Sequence, residues 1–241
     1  MGLNVHSAIT FLRKPHDMNK EAPDKRAAIL KAAMELIAEN GFHGAPTAMI
    51  ATRAGVGTGT IYRYFADKDV LIREVHRELE ERMHPILMVH YPAERSLKER
   101  FDHFYTGLMR FLLDNPMEFK FLEQFYDSPY GVAMRRDKIF NQKTSGQRSD
   151  TVKSLFEEGI AAGAIKDLPI AVLFAIFFGT LVSVARDHTL GFVELDDELI
   201  RRTAEASWDA IRRQPPPEAA HQETSTGSDS RSSSTFKDGL Q

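Results

Sequence analysis

The sequence predicts an all-α protein, and three observations carry that prediction. Apolar residues recur at helical spacing, as at Ile29, Ala33, Leu36 and Ile37, which fall at i, i+4, i+7 and i+8. Helix-stop and helix-start signals, such as Asn40-Gly41, Ser96-Leu97-Lys98-Glu99 and Asn115-Pro116, punctuate those periods. Runs of alternating β-branched residues bounded by hairpin turns are missing. The expected architecture is an N-terminal three-helix domain built on a helix-turn-helix, followed by a C-terminal helical bundle.

Taken in order, residues 1–22 have no apolar period and carry Pro15, so they read as a flexible arm. Asp24 caps the first long helix and Asn40-Gly41 stops it. Two short helices follow within residues 46–65. Val70, Leu71, Val75, Leu79 and Met83 mark a second long helix that should run until Pro85. Ser96…Glu99 is a capping box opening a third, which Asn115-Pro116 closes. Further helices are expected at about 117–127, 131–163, 168–189 and 196–213, with Gly146, Gly163 and Gly191 as breaks or caps. From Gln214-Pro215-Pro216-Pro217 onward the chain is rich in Ser, Thr and Gly, and residues 214–241 read as a disordered tail. The expected domains are thus 1–22, 23–68, 69–213 and 214–241.

Composition excludes several chemistries. The 241 residues contain no cysteine, which removes disulfides, thiolate zinc sites, thiol nucleophiles and Fe–S ligation together. The formal charge of −3 argues against a protein coated in cations for wholesale polyanion binding. Its distribution is uneven: residues 13–73 carry ten Lys/Arg against seven Asp/Glu, a local +3 that leaves −6 for the rest. The N-terminus shows no apolar run after a basic start, so no signal peptide is read, and a cytoplasmic location is expected. Residues 168–185 lack charge over a length that tempts a membrane span; Pro169, Gly179, Thr180 and Ser183 favour a buried helix instead.

The chemistry concentrates in residues 46–65. Thr47 is placed to cap a short helix whose Ile50 and Ala51 face inward. Ala54-Gly55-Val56 then makes a tight turn in which Gly55 supplies a positive φ and Val56 plugs the angle between two helices. The second helix starts at Gly57 or Thr58. At about 100° per residue, Ile61 and Phe65 share its inner side while Gly59 and Arg63 point away, flanked by Thr60 and Tyr62. This is the layout of a helix-turn-helix, whose second helix enters the DNA major groove. Gly59 permits close backbone approach, Thr60 offers a hydroxyl and a methyl, and Arg63 suits a guanine edge or a phosphate. Tyr62, Tyr64 and Lys68 are within reach of phosphates, and the helix opened by Thr47 presents backbone N–H groups to another. Amphipathic packing of Tyr62 and Tyr64 and simple solvation of Arg63 are the competing readings. Arg13, Lys14 and Lys20 are a solvated leader or, alternatively, further phosphate contacts.

Gly41-Phe42, Thr47, Ile50-Ala51, Ala54-Gly55-Val56, Gly59-Thr60-Ile61-Tyr62, Tyr64-Phe65, Lys68 and Leu71, all in register, resemble the DNA-binding domain of the TetR/AcrR family of bacterial one-component repressors. Residues 156–165, followed by a long apolar helix, resemble the C-terminal half of that family. One departure falls at Gly57, where the family usually has Ser; Gly is an acceptable N-cap and Thr58 is placed to take over the capping. The resemblance implies a homodimer that binds a palindromic double-stranded operator through Thr47, Thr58, Gly59, Thr60, Tyr62, Arg63, Tyr64 and Lys68. It also implies a regulatory half, about 69–213, that binds a small effector and dimerises, with no enzymatic activity and no cofactor.

The regulatory half adds partial support of its own. Residues 101–140 hold seven of the sixteen Phe, a density that suits an apolar or aromatic effector pocket near Phe101, Phe104, Tyr105, Phe125 and Tyr126, with His103 as a polar contact. An ordinary core is the plainer reading of such a stripe. The apolar helix over 168–185 covers most of its circumference with large side chains. A four-helix dimer interface is therefore expected from Phe174, Phe177, Phe178, Leu181, Thr203, Ser207 and Trp208, with an all-internal core as the alternative. Glu81-Arg82-Met83-His84 matches the Glu-x-x-His of di-iron bundles, yet the only second match, Glu218…His221, sits in the tail. His76, Glu80 and His84 share a helix face, which reads as a solvated surface in preference to a metal site. A metal-dependent helical enzyme, or a non-DNA interaction module on the same fold, are the rival functions.

Overall fold

The computed structural model describes residues 24–140 and 151–214. Among the described residues it has ten helices and no strand beyond one isolated bridge, Ile165 to Arg212. The first four are α1 (Lys25–Asn40), α2 (Thr47–Arg53), α3 (Thr58–Tyr64) and α4 (Lys68–Met88). Then come α5 (Leu97–Asp114), α6 (Pro116–Tyr126), α7 (Pro129–Phe140), α8 (Thr151–Ala161), α9 (Ile170–Thr189) and α10 (Asp197–Ile211). The flexible arm and the tail that the sequence suggests lie outside the described residues, apart from Gln214.

Local signals explain most boundaries. The Asp24 carboxylate accepts from the N–H groups of Arg26 and Ala27, and Gly41 ends α1 at φ 74°. Ser96 and Glu99 form both bonds of the capping box at the start of α5. Asn115 closes α5, and Pro116 starts α6 at the position where a missing N–H costs nothing. One expectation needs correction. The helix expected to stop at Pro85 continues to Met88, so Pro85 sits inside α4. The ring is exposed there, and packing of Leu79 and Leu87 against the body outweighs one lost backbone bond. Within 131–163, where Gly146 is an expected break, the described residues form α7 and α8; Gly146 and the rest of 141–150 lie outside the described residues.

Helices α1 to α3 pack around Ile29, Ile37, Ile50, Ile61 and Phe65. The most extensive packing of α1, however, is with α6 of the other half. Helices α5, α8, α9 and α10 enclose a second group that includes Phe101, Tyr105, Phe156, Phe177 and Trp208. The buried side chains of both groups form one continuous core.

Candidate nucleic-acid interface

The helix-turn-helix is built as its residues dictate. Gly55 takes φ 66° between α2 and α3, a conformation that strains residues with a Cβ, and the Val56 N–H closes the turn onto the Ala51 carbonyl at 3.0 Å. Ile61 is 1 % and Phe65 2 % exposed, which fixes the rotation of α3. Away from that side Gly59, Tyr62 and Arg63 are exposed and Thr60 is half-buried, while Thr58 and Tyr64, at the two ends of the helix, are exposed as well. A Cβ built on Gly57 or Gly59 meets no protein atom within 4 Å, so the molecule's own packing does not require glycine at either place. Arg53, at the end of α2, is held by both Glu39 oxygens at 2.8 Å. Beside it Leu36, Ala48, Met49, Thr52 and Arg53 line a shallow groove of about 350 Å³, and Met49 is exposed; no sequence pattern marked Met49 or Arg53 as part of this face.

Three details differ from expectation. Thr47 is the first residue of α2 and not its cap; Pro46 takes the cap position and no side chain accepts there. Gly57 caps α3 by conformation alone, so Thr58 does not act as a cap and its side chain is exposed. Lys68, expected on phosphate, is half-buried and donates from Nζ to the Phe42 carbonyl at 2.6 Å, tying α4 to the end of α1. Burial pushes its ammonium pKa below the usual lysine value, against the opposing pull of Asp69.

The residues expected to form one effector pocket fall into two aromatic groups. Phe101 and Tyr105 stack on each other and meet Phe177 edge-on, with Trp208 against Phe101. Phe125 instead stacks on His76 and touches Phe121 and Tyr126. The split follows from geometry: α5 faces α9 and α10, whereas α6 faces α1 and α4. Phe104 is half-buried. His103 uses Nε2 to bond the Leu87 carbonyl at 2.9 Å in the last turn of α4, so this nitrogen is already engaged within the chain.

The dimer residues read from sequence also need correction. Phe174, Phe177, Leu181, Ser207 and Trp208 are all at most 8 % exposed within one chain, and Phe178 and Thr203 are half-buried. Choosing the largest side chains selected the inward face of α9. Its outward stripe is Val172, Ala175, Gly179 and Ser183, at i, i+3, i+7 and i+11, joined by Thr180 and, on α10, by Ala206 and Ala210. The helix is strongly apolar, yet most of it is not buried within one chain.

The stripe His76, Glu80, His84 is not a solvated surface, because His76 is 4 % exposed and Glu80 is held by Lys138 of α7 at 2.6 Å. Glu81 pairs with Arg77. Among the described residues no three His, Asp or Glu side chains converge as a metal site, and Glu218 and His221 lie outside them.

Comparison with known proteins gives the same reading of both halves. Residues 29–75 match the family described as bacterial regulatory proteins, tetR family, and residues 96–212 match the tetracyclin repressor-like C-terminal domain. A fatty acid metabolism regulator protein of Bacillus subtilis is 30 % identical over 67 % of this chain and 82 % of its own length. The structure of a TetR-family regulator from Vibrio parahaemolyticus is 34 % identical, covers 79 % of this chain and all of that one, and superposes with a TM-score of 0.62. That of the regulator FadR from Bacillus subtilis in complex with stearoyl-CoA, 22 % identical over 76 % of this chain and 95 % of that one, superposes at 0.56 and shows the shared fold. With a helix-turn-helix whose outer face is bare and a helical body behind it, the chain belongs to the TetR family of DNA-binding transcriptional regulators.

Proposed function

We propose that this regulator is a cytoplasmic homodimeric repressor that a small hydrophobic effector releases from a palindromic operator. The observation that carries the reading is the face of α3: Ile61 and Phe65 anchor it, and Thr58, Gly59, Tyr62, Arg63 and Tyr64 are left exposed. In this reading Gly59 and Thr60 approach base edges, Arg63 reads a base or holds a phosphate, and Tyr62, Tyr64 and the N-terminus of α2 at Thr47 bind phosphates. Lys68 positions the reading head through Phe42. The DNA-binding domain would span 23–68 and the regulatory domain 69–213, with residues 1–22 as an arm and 214–241 as a tail.

Dimerisation is supported by the uncovered stripe of α9 and its neighbours on α10. Small residues there let two helix pairs approach closely, and a two-fold dimer matches half-sites about 34–36 Å apart. An apolar effector is supported by the aromatic content of the regulatory half, and by similarity to a regulator of fatty acid metabolism and to a regulator seen with stearoyl-CoA. Selecting genomic DNA fragments on purified protein tests the reading, followed by anisotropy titration of the enriched duplex. Tight, two-fold-symmetric binding that Arg63→Ala weakens is expected. No enrichment, or binding indifferent to both Arg63→Ala and Tyr62→Ala, would remove the repressor.

A further inference from the structure

Helix α4 turns a polar stripe toward α6 and α7: Asp69, His76 and Glu80, at i, i+7 and i+11. The two ends of the stripe are satisfied. Asp69 accepts from the Tyr130 hydroxyl at 2.6 Å, and Glu80 accepts from Lys138 at 2.6 Å. The middle is not. His76 is 4 % exposed, its ring stacks on Phe125 with centroids 4.1 Å apart, and no group among the described residues bonds its Nε2. A buried polar atom left this way carries the full desolvation penalty of that group, so a partner from outside the chain would be favoured there.

The chemistry of that atom can be specified. Nδ1 lies 3.7 Å from the Glu80 carboxylate, which favours the proton on Nδ1 and leaves Nε2 as a bare acceptor. Burial, outweighing the attraction of Glu80, lowers the imidazole pKa to about 4, so the ring is neutral under ordinary conditions. An acceptor beside an anionic side chain attracts an N–H or O–H donor and repels a carboxylate. The Tyr126 ring lies edge-on to His76 at 5.9 Å and is itself 37 % exposed, which places His76 one side chain from the surface on that side.

We infer that His76 is the polar anchor of the effector, its Nε2 accepting a hydrogen bond from a neutral hydroxyl or N–H donor on an otherwise apolar molecule that enters beside Tyr126 and lies against Phe125. The inference rests on the effector-released regulator proposed above and adds the polar group that effector must carry. A ligand there would part α4 from α6, the two helices of the regulatory half that hold α1.

β-Naphthol and its methyl ether test this, since they match in apolar bulk and differ in the donor. Calorimetric titration of the full chain should show β-naphthol binding about tenfold tighter than the ether. His76→Phe fills the volume without an acceptor and should erase the preference; His76→Gln supplies an amide oxygen and should keep it. Equal affinities in the unmutated protein, binding of neither probe, or a preference that survives His76→Phe would overturn the assignment. Operator binding is measured on the same preparations. If the unmutated protein fails to bind operator, the regulator reading falls; if it binds operator but shows no donor preference, only the role of His76 falls.

Discussion

Gly59→Ala separates the two things glycine does in α3. The residue is the second of the helix, and a Cβ there meets nothing within 4 Å. In the free protein the substitution therefore removes backbone entropy without a clash. Glycine is about 0.5–1 kcal/mol worse than alanine inside a helix, and the lower value applies in a first turn. For a chain of this size about 0.5 kcal/mol raises Tm by roughly 1–2 °C. On DNA the sign reverses. If α3 lies in the major groove with its backbone at van der Waals distance, the added methyl must push the helix back, loosening contacts of Thr60 and Arg63 worth about 1–3 kcal/mol each. A two-fold dimer suffers that loss at both half-sites. Differential scanning fluorimetry and anisotropy titration at one fixed salt concentration read the two effects on the same sample. The expected result is a slightly more stable protein that binds its operator at least tenfold more weakly. A variant that binds equally well, or better through a stiffer α3, would refute the close approach of Gly59 and with it the orientation of the recognition helix.

Other outcomes follow from the same structure. Arg63→Ala should weaken operator binding by about 1–3 kcal/mol in an anisotropy titration while leaving Tm unchanged, because the side chain is exposed and makes no contact the fold needs. Lys68→Met should lower stability by roughly 1 kcal/mol through the lost bond to Phe42, and leave the salt dependence of operator binding nearly intact; a flattened salt slope would return Lys68 to a phosphate. Gly179→Leu should leave helicity intact, since its Cβ position is open within one chain, yet convert a dimer to a monomer in sedimentation velocity; an unchanged sedimentation coefficient would move the interface off α9. His76 has a folded pKa lowered from 6.5 to about 4, so the unfolded chain binds the proton first as pH falls. Its neutral ring therefore makes folding weaken progressively between about pH 6.5 and 4, by about 3 kcal/mol in full, with no contribution above that window. His76→Phe should flatten that part of the stability profile measured by urea titration.

What the sequence makes legible is what is local. Asp24, Ser96…Glu99, Gly55 and the pair Ile61/Phe65 act within one turn or one helix, and each stands where its local role places it. What stays illegible depends on which helix lies opposite. The apolar side chains of α9 cover most of its circumference, so its pattern could not say that Phe174, Phe177 and Leu181 point inward while Ala175 and Gly179 point outward. The aromatics around Tyr105 and those around Phe125 follow one another in sequence, yet Tyr105 bonds Thr180 of α9 while Phe125 stacks on His76 of α4. Lys68 has the reach for a phosphate and the reach for Phe42, and only the fold places that carbonyl beside it.

The shared core constrains how any signal can travel. Helix α1 packs on α6 more extensively than on its own domain partners, and Gln124 of α6 donates to the Ala38 carbonyl at 3.2 Å. Arg26 of α1 reaches Glu74 and Glu78 of α4, and Tyr130 of α7 holds Asp69. The ion pairs are about a third exposed and contribute little individually, but the apolar α1–α6 contact is part of one continuous core with the regulatory helices. Swinging the reading head alone about the start of α4 would open that core along the α1–α6 contact, and each large apolar side chain uncovered there forfeits about 1.5–3 kcal/mol of burial. A displacement that keeps α1, α4 and α6 together avoids this loss. If an effector releases the operator as proposed, the economical response is therefore a movement of α6 and α4 that carries the whole reading head with it, and in the proposed α9–α10 dimer that movement would change the distance between the two recognition helices.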